Sequence, residues 1–161
     1  MHPSVVPISQ IFGVSTALYE KALAGLDRET LLKRPAAGTN PILWIAGHLA
    51  SGRYGLATAL GRQREVPWGR LFFRGAVLDD LSALPEIGPI QEAWRDISAV
   101  VMSRLEELTE ADLSGPSPRS FPIPDGSLHG AITFLAYHEG YHVGQMAFLR
   151  KWLGFPGLVD E

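Results

Sequence analysis

Tyr137-His138-Glu139-Gly140-Tyr141-His142-Val143-Gly144-Gln145 lies inside a proline-free run from Ser127 to Leu153. The apolar positions of that run are Leu128, Ile132 and Leu135, then Met146, Leu149 and Leu153. His138 and His142 fill the gap between the two groups. Every step is three or four residues, the repeat of one helix face. The run predicts one long helix, capped by Ser127, with two histidines standing where core side chains belong. Four helical residues separate them by about 6 Å along the axis and about 40° around it. Two imidazoles so placed can reach one metal ion, and the pair is read as metal ligands. Two buried histidines satisfied by hydrogen bonds are the plainer alternative, which suits a lone histidine better than a pair centred in the stripe. Gly140 and Gly144 each cost about 1 kcal/mol relative to alanine inside a helix. They would admit another backbone or a ligand, or reflect tight helix packing.

Working outward, three more long helices are predicted. The first spans about Val6 to Ala24, with Ile8, Ile11, Phe12, Ser15, Leu18, Tyr19 and Ala22 on one stripe. The second starts at Asn40-Pro41, asparagine as N-cap and proline as first helical residue, and runs to about Leu60 before Gly61. Its stripe, Ile45, His48/Leu49, Gly52, Leu56 and Leu60, turns His48 toward the core. The third spans about Pro89 to Leu108, with Ile90, Trp94, Ile97, Val101, Leu105 and Leu108 inside and its charges on a solvated face. Short turns capped by Asp27 and Thr109 follow the first and third helices. The connection from Arg62 to Gly88 holds Trp68, Leu71, Phe72, Phe73 and Val77, too apolar for a loose linker. A long crossover lets the next helix run parallel to the last. The expected fold is an all-α four-helix bundle, one domain over 1–161, with that crossover between the second and third long helices. Four prolines forbid a helix between Ser114 and Gly126, which is read as a lid over the metal or as a plain second connection.

Composition narrows the function. With 46% hydrophobic and 19% charged residues the chain can fold around a core. A net charge of −3, with both signs interspersed, argues against nucleic acid as a partner. No segment reads as a signal peptide or a membrane span, so the expectation is a cytoplasmic protein with no membrane partner. The sequence has no cysteine. Any metal must then be held by histidine, carboxylate and water, and any thiol chemistry must use an external thiol.

His48, His138 and His142 thus share one predicted core, and three neutral imidazoles leave at least one position open on a divalent ion. Zinc suits them best; nickel, iron, cobalt and manganese accept the same ligands. The ion would lower the pKa of a bound water or thiol. His2 and His129 belong to no such constellation. The string His-Glu-x-x-His also matches a zinc-protease motif, but Gln145 and Phe148 stand where its extended form needs glycine and histidine. Only Asp160 and Glu161 remain downstream as carboxylate ligands. Glu139 is a candidate general base or a group supporting a ligand; otherwise it faces solvent. Tyr137, Tyr141 and Gln145 are candidates to line the pocket, Tyr141 for packing rather than chemistry.

Asn40-Pro41-Ile42-Leu43-Trp44-Ile45-Ala46-Gly47-His48-Leu49-Ala50, together with His138 to Gln145, resembles the DinB/YfiT-like superfamily. That resemblance covers nearly the whole chain and implies a four-helix bundle with a mononuclear metal on three histidines, here His48, His138 and His142. Members with assigned activities include S-transferases using bacillithiol or mycothiol and a thiol-dependent isomerase, and homodimers are common. The expected function is therefore transfer of a low-molecular-weight thiol to a small electrophile. The alternatives are a hydrolase using a metal-bound hydroxide and a non-catalytic metal- or ligand-binding bundle.

Overall fold

A computed structural model describes residues 1–73 and 80–159. Val77, Asp160 and Glu161 lie outside the described residues. Among the described residues six α-helices form: α1 (Val6–Leu23), α2 (Arg28–Leu32), α3 (Ile42–Ala59), α4 (Ile87–Glu107), α5 (Glu110–Ser114) and α6 (Leu128–Trp152). Short 3₁₀ turns cover Pro3–Val5 and Leu81–Ala83. Among the described residues there is no β-strand, only an isolated bridge between Pro116 and Ser127. No helix among them is long and apolar enough to cross a membrane.

The helix ends follow from local chemistry. Asp27 accepts from the Thr30 amide, and Ser127 accepts from the Gly130 amide. Thr109 and Asp112 form a reciprocal capping box. Gly61, at φ 77°, follows the end of α3 in the left-handed region that favours glycine. The start of α3 differs from expectation. Pro41 is the half-in residue, its carbonyl accepting from the Ile45 amide, and Asn40 stands outside with no side-chain cap. At α4 the helix begins two residues before Pro89, at Ile87 behind Glu86, because a proline is tolerated in a first turn whose amides lack partners.

Packing pairs α3 with α4 and α1 with α6, and α3 also lies against α6. The core has two lobes. One gathers Tyr19, Ile42, Leu49, Phe72, Trp94 and Met146; the other gathers Phe12, Leu56, Ile97, Val101, Leu105 and Ile132. Each such side chain contributes about 1.5–3 kcal/mol by leaving water. The predicted stripe of α4 is buried at every position, whereas Ile11 of α1 is 47% exposed. Arg28 donates to the carbonyls of Leu84 and Pro85, fastening the connection before α4 to α2. Arg150 donates to the carbonyls of Ala22 and Ala24, fastening the end of α6 to the end of α1.

Candidate metal centre

α3 is buried nearly all round. His48, Gly52 and Gly55 occupy its least buried face, which looks onto α6. His48 is therefore half-buried at the edge of the core rather than inside it. His138 and His142 meet it from α6, also half-buried. The His138 Nε2 lies 3.3 Å from the His48 Nε2 and 3.1 Å from the His142 Nε2. The one donor nitrogen that each of the three histidines offers falls within 4.8 Å of the other two.

The hydrogen bonds behind the rings decide what those nitrogens are. A neutral imidazole carries a single N–H. The His48 Nδ1 donates to the Phe72 carbonyl at 2.7 Å, so its Nε2 carries a lone pair. The His142 Nδ1 donates to the Gln145 Oε1 at 2.7 Å, so its Nε2 does too. His138 can donate to at most one of them. At least one close Nε2 pair is therefore lone pair against lone pair, an arrangement that a shared cation relieves. Zinc–nitrogen bonds of about 2.0–2.1 Å at tetrahedral angles put neighbouring donors about 3.3 Å apart, matching these separations. The three residues fit one divalent ion.

Electrostatics favour the same state. Burial lowers the pKa of all three rings. His138 is lowered most, to about 4, by burial and then by the charges His142 and His48 would carry. The imidazoles are thus neutral near pH 7, as metal ligation requires.

An aromatic collar surrounds the site. Trp44 stacks on His48, 4.9 Å between centroids and 8° between planes. Phe134 stands 6.2 Å from His138, and Tyr141 stands 5.0 Å from His142. Phe72 reaches the site because Gly47 has no side chain; a Cβ there would sit 2.3 Å from the Phe72 ring. Gln145 also donates to the Tyr141 hydroxyl. Tyr141 is 54% exposed and Tyr137 68% exposed, so neither packs into the core.

Glu139 does not face solvent. It is 4% exposed, and both carboxylate oxygens accept from the fully buried Arg53 of α3, at 2.7 and 2.8 Å. Burial pushes its carboxyl pKa up, against the pull of Arg53. Arg53 also donates to the Phe12 carbonyl and lies between the Phe12 and Trp94 rings, at 5.3 and 4.2 Å. The pair thereby joins the two lobes of the core. Arg53, Trp44 and Phe72 were not singled out as candidates from sequence. The available signal for Arg53 is that it is the only charged residue between Arg34 and Arg62.

Among the described residues, Gly140 and Gly144 meet no neighbour within 4 Å of where a Cβ would stand. They open onto an apolar groove of about 700 Å³ between α1 and α6, bordered by Ile11, Val14 and Phe148. A smaller cavity of about 540 Å³ lies beside Asn40, Tyr141 and Gln145. None of the three histidines lines either space.

No curated protein sequence matches the chain. The DinB superfamily profile matches residues 12–146, which takes in α3, α6 through Met146 and all three histidines. With that match over most of its length, the chain belongs to the DinB superfamily.

Proposed function

We propose that this chain is a single-domain, metal-dependent enzyme that joins a low-molecular-weight thiol to a small electrophile. In this reading the four long helices form the bundle, and the connection from residue 62 to residue 86 is its crossover. The protein works as a cytoplasmic homodimer. The observation that carries the proposal is the convergence of three neutral imidazoles, two with their tautomers fixed by the Phe72 carbonyl and the Gln145 amide.

A divalent ion bound there would act as a Lewis acid with an open position, able to lower the pKa of a thiol placed on it. Zinc is the metal the donor set suits best. The chain supplies the rest. His48, His138 and His142 hold the ion by Nε2. The Phe72 carbonyl and Gln145 orient the rings. Trp44 and Phe134 place aromatic rings beside His48 and His138. The absence of cysteine leaves the reacting sulfur to the co-substrate.

Hydrolysis with Glu139 as base is disfavoured, because both of its oxygens accept from Arg53. We assign Glu139 a structural role. The test is thiol consumption by metal-loaded protein across an electrophile panel, beside His142→Ala. Consumption that disappears in the variant is expected. Thiol-independent ester turnover with no thiol consumption would establish the hydrolytic alternative instead.

A further inference from the structure

The face of α3 that carries His48 continues past the metal centre. Gly52 follows one turn on, and a Cβ there would meet nothing within 4 Å among the described residues. Gly55 follows next, and among the described residues the only neighbour its Cβ would meet is the Arg119 Nη1, at 3.4 Å. Seven helical residues return to the same face, so Gly55 lies about 10 Å along the axis from His48. The two glycines leave a floor without side chains between the three imidazoles at one end and a guanidinium at the other.

Arg119 reaches that position from the loop between α5 and α6. The loop is closed by the Ser117 amide donating to the Gly126 carbonyl. Phe121 packs on Phe134 at 5.4 Å, and Phe134 in turn stands beside His138. The loop therefore arrives at the metal centre as well as at Gly55. Among the described residues, Arg119 is the one arginine whose guanidinium has no hydrogen bond, ion pair or aromatic face. Arg62 and Arg95, exposed as Arg119 is, are each held by a carboxylate.

We propose that Arg119 recognises an anionic group on the substrate, and that the substrate lies in a trough over Gly52 and Gly55 with its reacting atom at the histidines, about 10 Å away. The ligand class is a small molecule with a carboxylate or equivalent anion at one end, which a guanidinium binds through paired hydrogen bonds. The assignment of the reacting end rests on the thiol-transfer reading above; that of the anion end does not.

The test separates the two ends. In ¹⁵N-labelled, metal-free protein, heptanoate is expected to move the amide resonances of Gly52, Gly55 and Arg119. Heptanol and the variant Arg119→Gln should each bind about fivefold more weakly, the scale of a partly exposed charge pair. Arg119→Lys should keep part of the preference. In cobalt-loaded protein, 8-mercaptooctanoate should produce thiolate absorption at lower concentration than 8-mercaptooctanol, and Arg119→Gln should equalise them. Equal binding of heptanoate and heptanol would overturn the proposal. So would unchanged heptanoate binding in Arg119→Gln, or shifts confined to the α1–α6 groove. Failure to take up cobalt would count against the metal reading alone, since the heptanoate titration still decides the role of Arg119.

Discussion

α6 carries two polar intrusions one residue apart, and they are opposite in kind. On one side, Glu139 meets Arg53, which satisfies both carboxylate oxygens, although the Arg53 Nη1 has no partner among the described residues. On the other, His138 meets His48 and His142 with at most one N–H for two facing lone pairs. A buried charge held by its counter-charge serves the fold. Converging lone pairs that a single N–H cannot all satisfy call for something the chain does not contain. Burial alone does not separate the two cases; the hydrogen-bond inventory does.

The largest effect should come from the ion-paired side. Glu139→Ala leaves the Arg53 guanidinium buried without its carboxylate and should cost about 3–5 kcal/mol of stability. Chemical denaturation reads this. Replacing both, Arg53→Met with Glu139→Leu, should recover most of the loss, because a well-packed apolar pair can substitute for a buried ion pair. The double variant should still bind metal. If it folded and lost metal, the separation of the two sides would be broken.

A smaller effect is expected at Gly47, where both sides of the account are tested at once. Gly47→Ala drives a methyl into the Phe72 ring and should cost about 1–3 kcal/mol by overpacking. It should also weaken metal binding, since the Phe72 carbonyl orients His48. Gln145→Ala should leave metal-free stability nearly unchanged and lower metal affinity about 10–100-fold, measured by competition with a chelator. Equal affinity would mean that the Gln145 hydrogen bond does not set the His142 tautomer.

The mildest contrast is with pH. The folded pKa of His138, about 4, lies below its unfolded value near 6.5. Between those values the unfolded chain binds more protons, so this contribution to metal-free stability rises with pH and is lost as pH falls through the window. Glu139, with its pKa raised, contributes in the opposite sense. The difference between wild type and His138→Phe isolates the histidine. The variant should lose less stability than the wild type between pH 6.5 and pH 4. An equal loss would contradict the depressed pKa.

Much of this was legible in the sequence, because it rests on local periodicity and caps. The α6 stripe runs through Leu128, Ile132, Met146 and Leu149 as expected, with Ser127 as its cap. The histidine trio could be named because a polar residue in an apolar stripe is conspicuous against a period of 3.6. Arg53 was less visible because its meaning depends on a partner 86 residues away. The same limit applies to Glu139, whose surroundings are set by α3 rather than by its neighbours in α6. Phe72 falls in a connection with no periodicity, and only the missing side chain at Gly47 shows why its ring enters the core. Asn40-Pro41 reads as a cap and first residue; the chain shifted that boundary by one residue, the scale on which helix ends vary.

Metal content tests the central claim most directly, measured by mass spectrometry on protein purified without a histidine tag, beside His48→Ala and His142→Ala. The account predicts about one divalent ion per chain in the wild type and little or none in either variant, with both variants folded. A wild type that carries no metal and fails to take up added zinc, nickel, iron, cobalt or manganese would contradict it.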